Sequence, residues 1–386
     1  MRHLLVAIVL CLALVQPTIA SVATPYPIDV ILPITGPGAF VGTTQQKSLV
    51  VLESLVNKQG GIGGRPVDFV FHDDGTSPQL ALQLATQLVA NKSIVVLGSS
   101  LGPMCKAIQP TFASGTVNYC LSPVITPEPA GTVFSASVSG RDFVRASIRY
   151  FRLRGWKRIA SLNTTDASGA IADGDIAAAL KEPENHDVSL VAAEHFNPAD
   201  TSVTAQVAKI KAAGPQAIIV WTPGTPFGTA LHGLADVGLD VPVMTSSANM
   251  VVGQLKTYAS IMPKELFFQG VPFIEGVPHD KLSAPLQAFS AAIAAAGMQQ
   301  DFQSGIAWDP AMIVVDALRK LGPEATANQL HAYLENLHDY VGISGTYDFR
   351  GGNQRGLTID DVVITRWDPS SAKITTVAMH GGVPLK

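Results

Sequence analysis

Charge, aromatics and cysteine are all scarce in this chain. Charged residues make up 15% of 386 positions and aromatics 7%, and the net charge is −4. A mildly acidic chain with scattered Lys and Arg gives no electrostatic hold on nucleic acid, so none is expected as a partner. Only three cysteines occur, Cys11, Cys105 and Cys120. The nine histidines are dispersed, with no His-Glu-x-x-His zinc motif. No phosphate-loop Gly-Lys-Ser/Thr is found, and no serine nucleophile elbow is expected. Gly36-Pro37-Gly38-Ala39-Phe40-Val41-Gly42 comes near a dinucleotide fingerprint. Its last glycine is one residue too far, and Pro37 lies inside the turn. His72-Asp73-Asp74, at a strand end, reads as turn-capping rather than as a metal site. Enzyme chemistry, metal and cofactor are therefore not expected.

Apolar runs long enough to span a bilayer are also missing. Leu4 to Val15 is apolar for twelve residues, short of the roughly 18 that a span needs. Arg2 and His3 precede it and Thr18-Ile19-Ala20 follow. This order reads as a signal peptide over residues 1–20, cut before Ser21. The expected mature chain is exported, periplasmic and soluble. In an oxidising compartment Cys105 and Cys120 read as a disulfide, with two buried free thiols as the alternative.

What is present is alternation. Ile28 to Pro33, Val67 to His72 and Ile94 to Gly98 read as strands. Helices over Thr43 to Asn57 and Pro78 to Ala90 separate them, with apolar residues at three- and four-residue spacing. The pattern restarts with strands at Arg158 to Leu162, Ser189 to Glu194 and Ala217 to Trp221. The intervening helices are expected from Gly169 to Leu180 and after a cap at Thr201 or Ser202. Strand and helix are expected to alternate to the end. Crossover connections imply parallel sheets, so the fold class is α/β. Two doubly wound lobes joined by a three-segment hinge are expected. The N-terminal lobe takes 21–142 plus 271–347, and the C-terminal lobe 143–270 plus 348–386. The first crossing is placed near Gly140-Arg141-Asp142, the second within Gly270 to Pro278 and the third within Tyr347 to Gly356.

Several segments, in order, resemble one family. They include Leu32-Pro33-Ile34-Thr35-Gly36-Pro37, Val56 to Gly64, His72-Asp73-Asp74 and Val95 to Ser100. Leu121-Ser122-Pro123 with Thr126-Pro127-Glu128, and Gly233 to Leu239, complete the set. The chain resembles type I periplasmic solute-binding proteins of the leucine/isoleucine/valine-binding group, with the Venus-flytrap fold. That resemblance implies a monomer that closes two lobes on a small ligand and docks on the membrane permease of an ABC importer. An exported ligand sensor is the alternative.

The resemblance also implies where the ligand lies. Ligands of open α/β sheets bind beyond the strand C-termini. Carboxylate recognition falls on Ser100, Leu101, Gly102, Ile125 and Thr126. Phe40 and Val41 fall in the first loop, where Phe40 would wall the ligand or pack beneath the loop. The second lobe would offer Ser168, Thr225, Ser247 and Asn249. Amino-acid-binding relatives carry an acidic residue in the loop that here reads Thr245-Ser246-Ser247-Ala248-Asn249-Met250. A buried ammonium without a countercharge costs several kcal/mol. The expected ligand is therefore a small carboxylate with an aromatic or otherwise apolar body. A branched-chain or other amino acid is the alternative, with Asp142 as a partial replacement for the missing acid.

Overall fold

A computed structural model describes residues 24–222, 224–273 and 284–385. The expected signal peptide lies outside the described residues, as does part of the Gly270 to Pro278 crossing.

Five strands build the first sheet: β1 (Tyr26–Leu32), β2 (Val67–Asp73), β3 (Val95–Gly98), β4 (Val117–Cys120) and β5 (Val133–Ser135). They pair in the order β2-β1-β3-β4-β5, all parallel. Alternating side chains of β1 serve both faces. Ile28, Val30 and Leu32 join one apolar cluster, while Ile31 joins another with Ala81, Ala85 and Ile108. Helices α1 (Ala39–Lys58), α2 (Pro78–Ala90) and α3 (Gly102–Ile108) cover those faces. Helix α1 begins four residues before the expected Thr43, because Gly38 already starts the turn. Cys105 on α3 is joined to Cys120 on β4 by a disulfide.

Helix α4 (Gly140–Leu153) opens the second unit and is capped by Ser139, whose hydroxyl accepts from Asp142 N. Next come β6 (Arg158–Thr164), α5 (Ala167–Leu180), β7 (Ser189–Phe196), α6 (Thr204–Ala212), β8 (Ala217–Trp221) and α7 (Thr225–Val237). Strand β9 (Val243–Thr245), α8 (Val252–Thr257) and β10 (Leu266–Gly270) follow. Val203, Val207 and Ile210 face inward as expected. Val203, not Thr201 or Ser202, occupies the α6 cap position, and no side chain caps it.

The chain then returns to the first sheet. Helices α9 (Ala284–Ala295), α10 (Phe302–Ile306) and α11 (Trp308–Leu321) pack on α1, and α12 (Ala327–Glu335) packs on α11. A small hairpin follows, β11 (Tyr340–Val341) with β12 (Thr346–Tyr347). The segment from Tyr347 to Gly356 stays beside the first sheet. Phe349 meets Phe134 edge-on, and Gln354 O accepts from Ser135 N.

The end of the chain departs from strict alternation. Strands β13 (Val363–Asp368), β14 (Lys373–Met379) and β15 (Val383–Pro384) run antiparallel at the edge of the second sheet, next to β10. Its order is β15-β14-β13-β10-β9-β8-β6-β7. A short turn between β13 and β14 leaves no room for the crossover helix that a parallel pair requires. Among the described residues, no helix is long and apolar enough to cross a membrane.

Candidate functional site

The two sheets present the C-terminal ends of their strands to one cavity of about 480 Å³. From the first sheet, Gly38 and Val41 follow β1, Thr76 follows β2, Ser100 to Met104 follow β3, and Leu121 to Val124 follow β4. From the second, Asp166 and Ser168 follow β6, Ala199 follows β7, Thr222 and Gly224 to Pro226 follow β8, and Ser246 to Ala248 follow β9. Phe302, Gln303 and Ile306 of α10 close the wall. Strand ends leave loops rather than ladders at this edge, so the same topology that stacks the core also opens the cleft.

Backbone shape sets the loop after β3. Gly98 has φ +103°, and a Cβ there would lie 2.0 Å from Ile31 O. Only glycine accepts both conditions. Ser99 then donates to the buried Asp74 carboxylate at 2.5 Å. Ser100 Oγ donates to Gln45 Oε1. Gln45 Nε2 donates to Gln303 Oε1 at 2.7 Å, and Gln303 Nε2 donates to Ala248 O at 3.3 Å. A chain of polar groups thus runs from the first sheet's loop to the second sheet's loop behind the cavity. Asp301 adds a second bridge, accepting from Val252 N at 3.3 Å.

Seven of the sequence-chosen residues meet at this cavity: Val41, Ser100, Leu101, Gly102, Ser168, Thr225 and Ser247. Four do not. Phe40 sits in the first turn of α1, and neighbouring helical residues point about 100° apart. Val41 therefore turns inward at 3% exposure while Phe40 is 46% exposed. Asn249 is fully buried beneath the cavity. Its amide donates to Thr222 O and Thr245 Oγ1 and its oxygen accepts from Gly224 N, so it shapes the β8 loop. Ile125 and Thr126 line an adjoining pocket of about 260 Å³. Asp142 is committed to Arg145 at 2.9 Å and to the Ser139 hydroxyl, so it does not replace the missing acid.

The sequence reading missed Thr76, Asp166 and the α10 residues. Thr76 Oγ1 accepts from Gly38 N and donates to Thr35 O, tying two loops together. Asp166 caps α5, accepting from Ser168 N and Gly169 N at 3.0 Å. An Asp just before a Ser-Gly helix start, after a strand, was the available signal. Residues 302–306 gave none, because they reach the cleft from the far side of a long excursion. His72 and Asp73 have structural roles. His72 Nε2 lies 2.9 Å from Asp29, and Asp73 accepts from Ile34 N, Thr35 N and Gly75 N.

A serine pattern was also passed over. Gly98-Ser99-Ser100-Leu101-Gly102 has Gly-x-Ser-x-Gly spacing on a strand–turn–helix, the setting of a nucleophile elbow. An activated serine needs a base that can take its proton. The Ser100 proton is directed at the neutral amide oxygen of Gln45, which cannot serve.

Among the described residues, charge on the cavity wall is confined to Asp166, and no Lys, Arg or His lines it. Most of the remaining lining is apolar, with hydroxyl-bearing residues Ser122, Ser168, Thr225 and Ser247 among it. Thr222 Oγ1 is buried and sealed from the cavity, with no hydrogen-bond partner among the described residues.

Residues 25–373 match the family described as periplasmic binding protein. The chain belongs to this family. Within it, the chain is of the type I, Leu/Ile/Val-binding-protein-like kind. Periplasmic binding proteins are extracytoplasmic solute-binding proteins. A similar protein is Leu/Ile/Val-binding protein homolog 3 of Brucella melitensis, 26% identical over 228 residues, 56% of this chain and 60% of the relative. The chain thus spans about three fifths of that relative's length. An extracellular ligand-binding receptor from Rhodopseudomonas palustris HaA2 superposes with a TM-score of 0.80 at 22% identity. The match covers 92% of this chain and 99% of that one. A fatty acid ABC transporter substrate-binding protein from Thermomonospora curvata superposes at 0.78 with 18% identity, covering 92% of each chain. At these identities the superpositions speak for the fold: two doubly wound α/β lobes.

Proposed function

We propose that this periplasmic binding protein is the solute receptor of an ABC importer. It binds a small carboxylate with an apolar body between its lobes and presents it to a membrane permease. It acts on its ligand by holding it and performs no chemistry. The observation that carries the reading is the interlobe cavity itself, about 480 Å³ and mostly apolar, with Ser122, Ser168, Thr225 and Ser247 in its wall. An apolar body releases water from such walls, and a few polar groups fix its orientation. Leu, Ile, Val and fatty acids, named for the relatives, share a carboxylate and an apolar chain.

The division into lobes 21–142 with 271–347 and 143–270 with 348–386 belongs to this proposal, as do the cleaved leader and a monomeric state. Two lobes that touch through Gln303 and Asp301 can part and close about the connecting segments, and ligand shifts that balance.

Asp166 favours a second reading, a branched-chain amino acid whose ammonium rests on that carboxylate. It stands in the cavity wall and could supply the countercharge that Ser246 to Met250 lack. Calorimetric titration with octanoate, 3-phenylpropanoate and leucine separates the two. The first reading expects heat from the acids and none from leucine; leucine binding alone overturns it.

A further inference from the structure

Three linked contacts behind the cavity fix where protons point. Ala248 O is a backbone carbonyl and can only accept. Gln303 therefore turns its Nε2 to Ala248 O, at 3.3 Å, and is left with Oε1 facing Gln45. Gln45 donates to that oxygen from Nε2, at 2.7 Å, and is left with its own Oε1 facing Ser100. Ser100 can meet an amide oxygen only by donating its hydroxyl proton. Flipping either amide would set oxygen against oxygen, so the carbonyl at one end dictates the polarity at the other. Gln45, Ser100 and Gln303 are all buried, where a lost partner is not replaced by bulk water.

That polarity reaches the ligand because Ser100 is a wall residue of the cavity. A hydroxyl has one proton and two lone pairs. Ser100 spends its proton on Gln45, so it has lone pairs to offer a ligand and no donor. Thr76, also in the first lobe's wall, likewise donates to Thr35 O at 2.9 Å. The opposite wall differs. The hydroxyls of Thr225 and Ser247 donate to no acceptor among the described residues. The first lobe thus accepts at Ser100 and Thr76, and the second lobe can donate at Thr225 and Ser247.

We infer that Gln45, which lies outside the cavity, is a positioning residue that acts through Ser100 to select an acid bearing a hydroxyl. The ligand's carboxylate accepts from Thr225 and Ser247, and its hydroxyl donates to Ser100 Oγ. This rests on the solute-receptor reading above and names the ligand class: a hydroxy acid with an apolar body. A matched oxo acid carries lone pairs where the hydroxyl carries a proton, so it sets oxygen against oxygen at Ser100. Because the relay ends on Ala248, the selection belongs to the state in which the lobes touch.

The test is calorimetric titration of the mature chain with two matched pairs. One is 2-hydroxy-4-methylpentanoate against 4-methyl-2-oxopentanoate. The other is 3-(4-hydroxyphenyl)propanoate against 3-(4-fluorophenyl)propanoate. The readout is the affinity ratio within each pair, for wild type, Gln45→Met, Gln45→Glu and Ser100→Ala. Wild type is expected to prefer the hydroxyl form about tenfold in at least one pair. Gln45→Met frees the Ser100 proton and Ser100→Ala removes the acceptor, so each is expected to bring that pair within about twofold. Gln45→Glu, protonated in its buried place, keeps an oxygen for Ser100 and a donor for Gln303, so the preference should survive. Should Gln45→Met fail to fold, judged by circular dichroism, Ser100→Ala and Gln45→Glu decide. A wild-type ratio near one in both pairs overturns the selection and leaves the receptor reading standing. So does a preference that Ser100→Ala leaves intact, or one that Gln45→Glu abolishes. No binding of any acid to wild type overturns the receptor reading, and the selection with it.

Discussion

Gln45 Nε2 donates to Gln303 Oε1 at 2.7 Å although the two residues are 258 positions apart. Both are buried, and each has a further role. Gln45 Oε1 accepts from Ser100 Oγ, and Gln303 Nε2 donates to Ala248 O on the opposite lobe. Removing one partner strands the other. Gln303→Leu is expected to destabilise the protein by about 1–3 kcal/mol, read by urea unfolding. The double variant with Gln45→Leu is expected to cost less than the sum of the singles, because no amide is then left unpaired. Strict additivity would mean that the glutamines do not act as a pair.

Asp301 gives the protein a pH dependence between the lobes. Burial pushes its carboxyl up to about 6, against the pull of backbone N–H groups at Ser304 and Val252. Unfolded, an aspartate titrates near 3.9. Between about pH 4 and pH 6 the native chain keeps a proton that the unfolded chain has lost, so stability falls as pH rises through that window. Above about 6 both states are ionised and the loss is complete, on the order of 3 kcal/mol for the full shift. Denaturant melts at pH 4.5 and 7 check this. Asp301→Asn should flatten the slope in part, leaving the share of Asp175, whose carboxyl burial also pushes to about 6. An unchanged slope would remove Asp301 from the account.

The Cys105–Cys120 bridge closes a span of 15 residues between α3 and β4. On loop-closure entropy alone, such a span contributes about 3 kcal/mol. Replacing both cysteines with alanine should lower Tm. It should also weaken ligand binding, because α3 carries Pro103 and Met104 of the cavity wall. A variant with wild-type Tm would show that packing alone holds α3.

Asp166 divides the two ligand classes. Asp166→Asn keeps an oxygen to cap α5 but removes the charge. For an acid ligand, affinity should rise a few-fold as repulsion disappears. For an amino acid, affinity should fall tenfold or more as the ammonium loses its partner.

Much of this was legible in the sequence because periodic patterns are local. Helix Pro78–Ala90 and strand Ala217–Trp221 have the boundaries that their apolar spacing gives. The antiparallel edge after Val363 was not legible, since short strands there carry no sign of which neighbour they join. At the site, topology points to the loops after strands and the family resemblance to Ser100 and Ser168 within them, and these, with Ser247, line the cavity. The direction of a side chain within a loop is set by contacts distant in sequence. Phe40 was misjudged because α1 starts early, and Asn249 because its amide is spent on Thr222 and Gly224. Gln303 reaches Gln45 and Ala248 only through the fold, so no local pattern could name it.

The most direct test of the central claim is a thermal-shift panel on the mature protein. It would hold benzoate, 4-hydroxybenzoate, coumarate, octanoate, leucine, isoleucine and valine. A ligand at a hundredfold its Kd stabilises the folded state by about 2.7 kcal/mol, enough to raise Tm by several degrees. The account predicts a rise with one or more apolar acids and none with the amino acids. A rise with leucine, isoleucine or valine and none with the acids would contradict it.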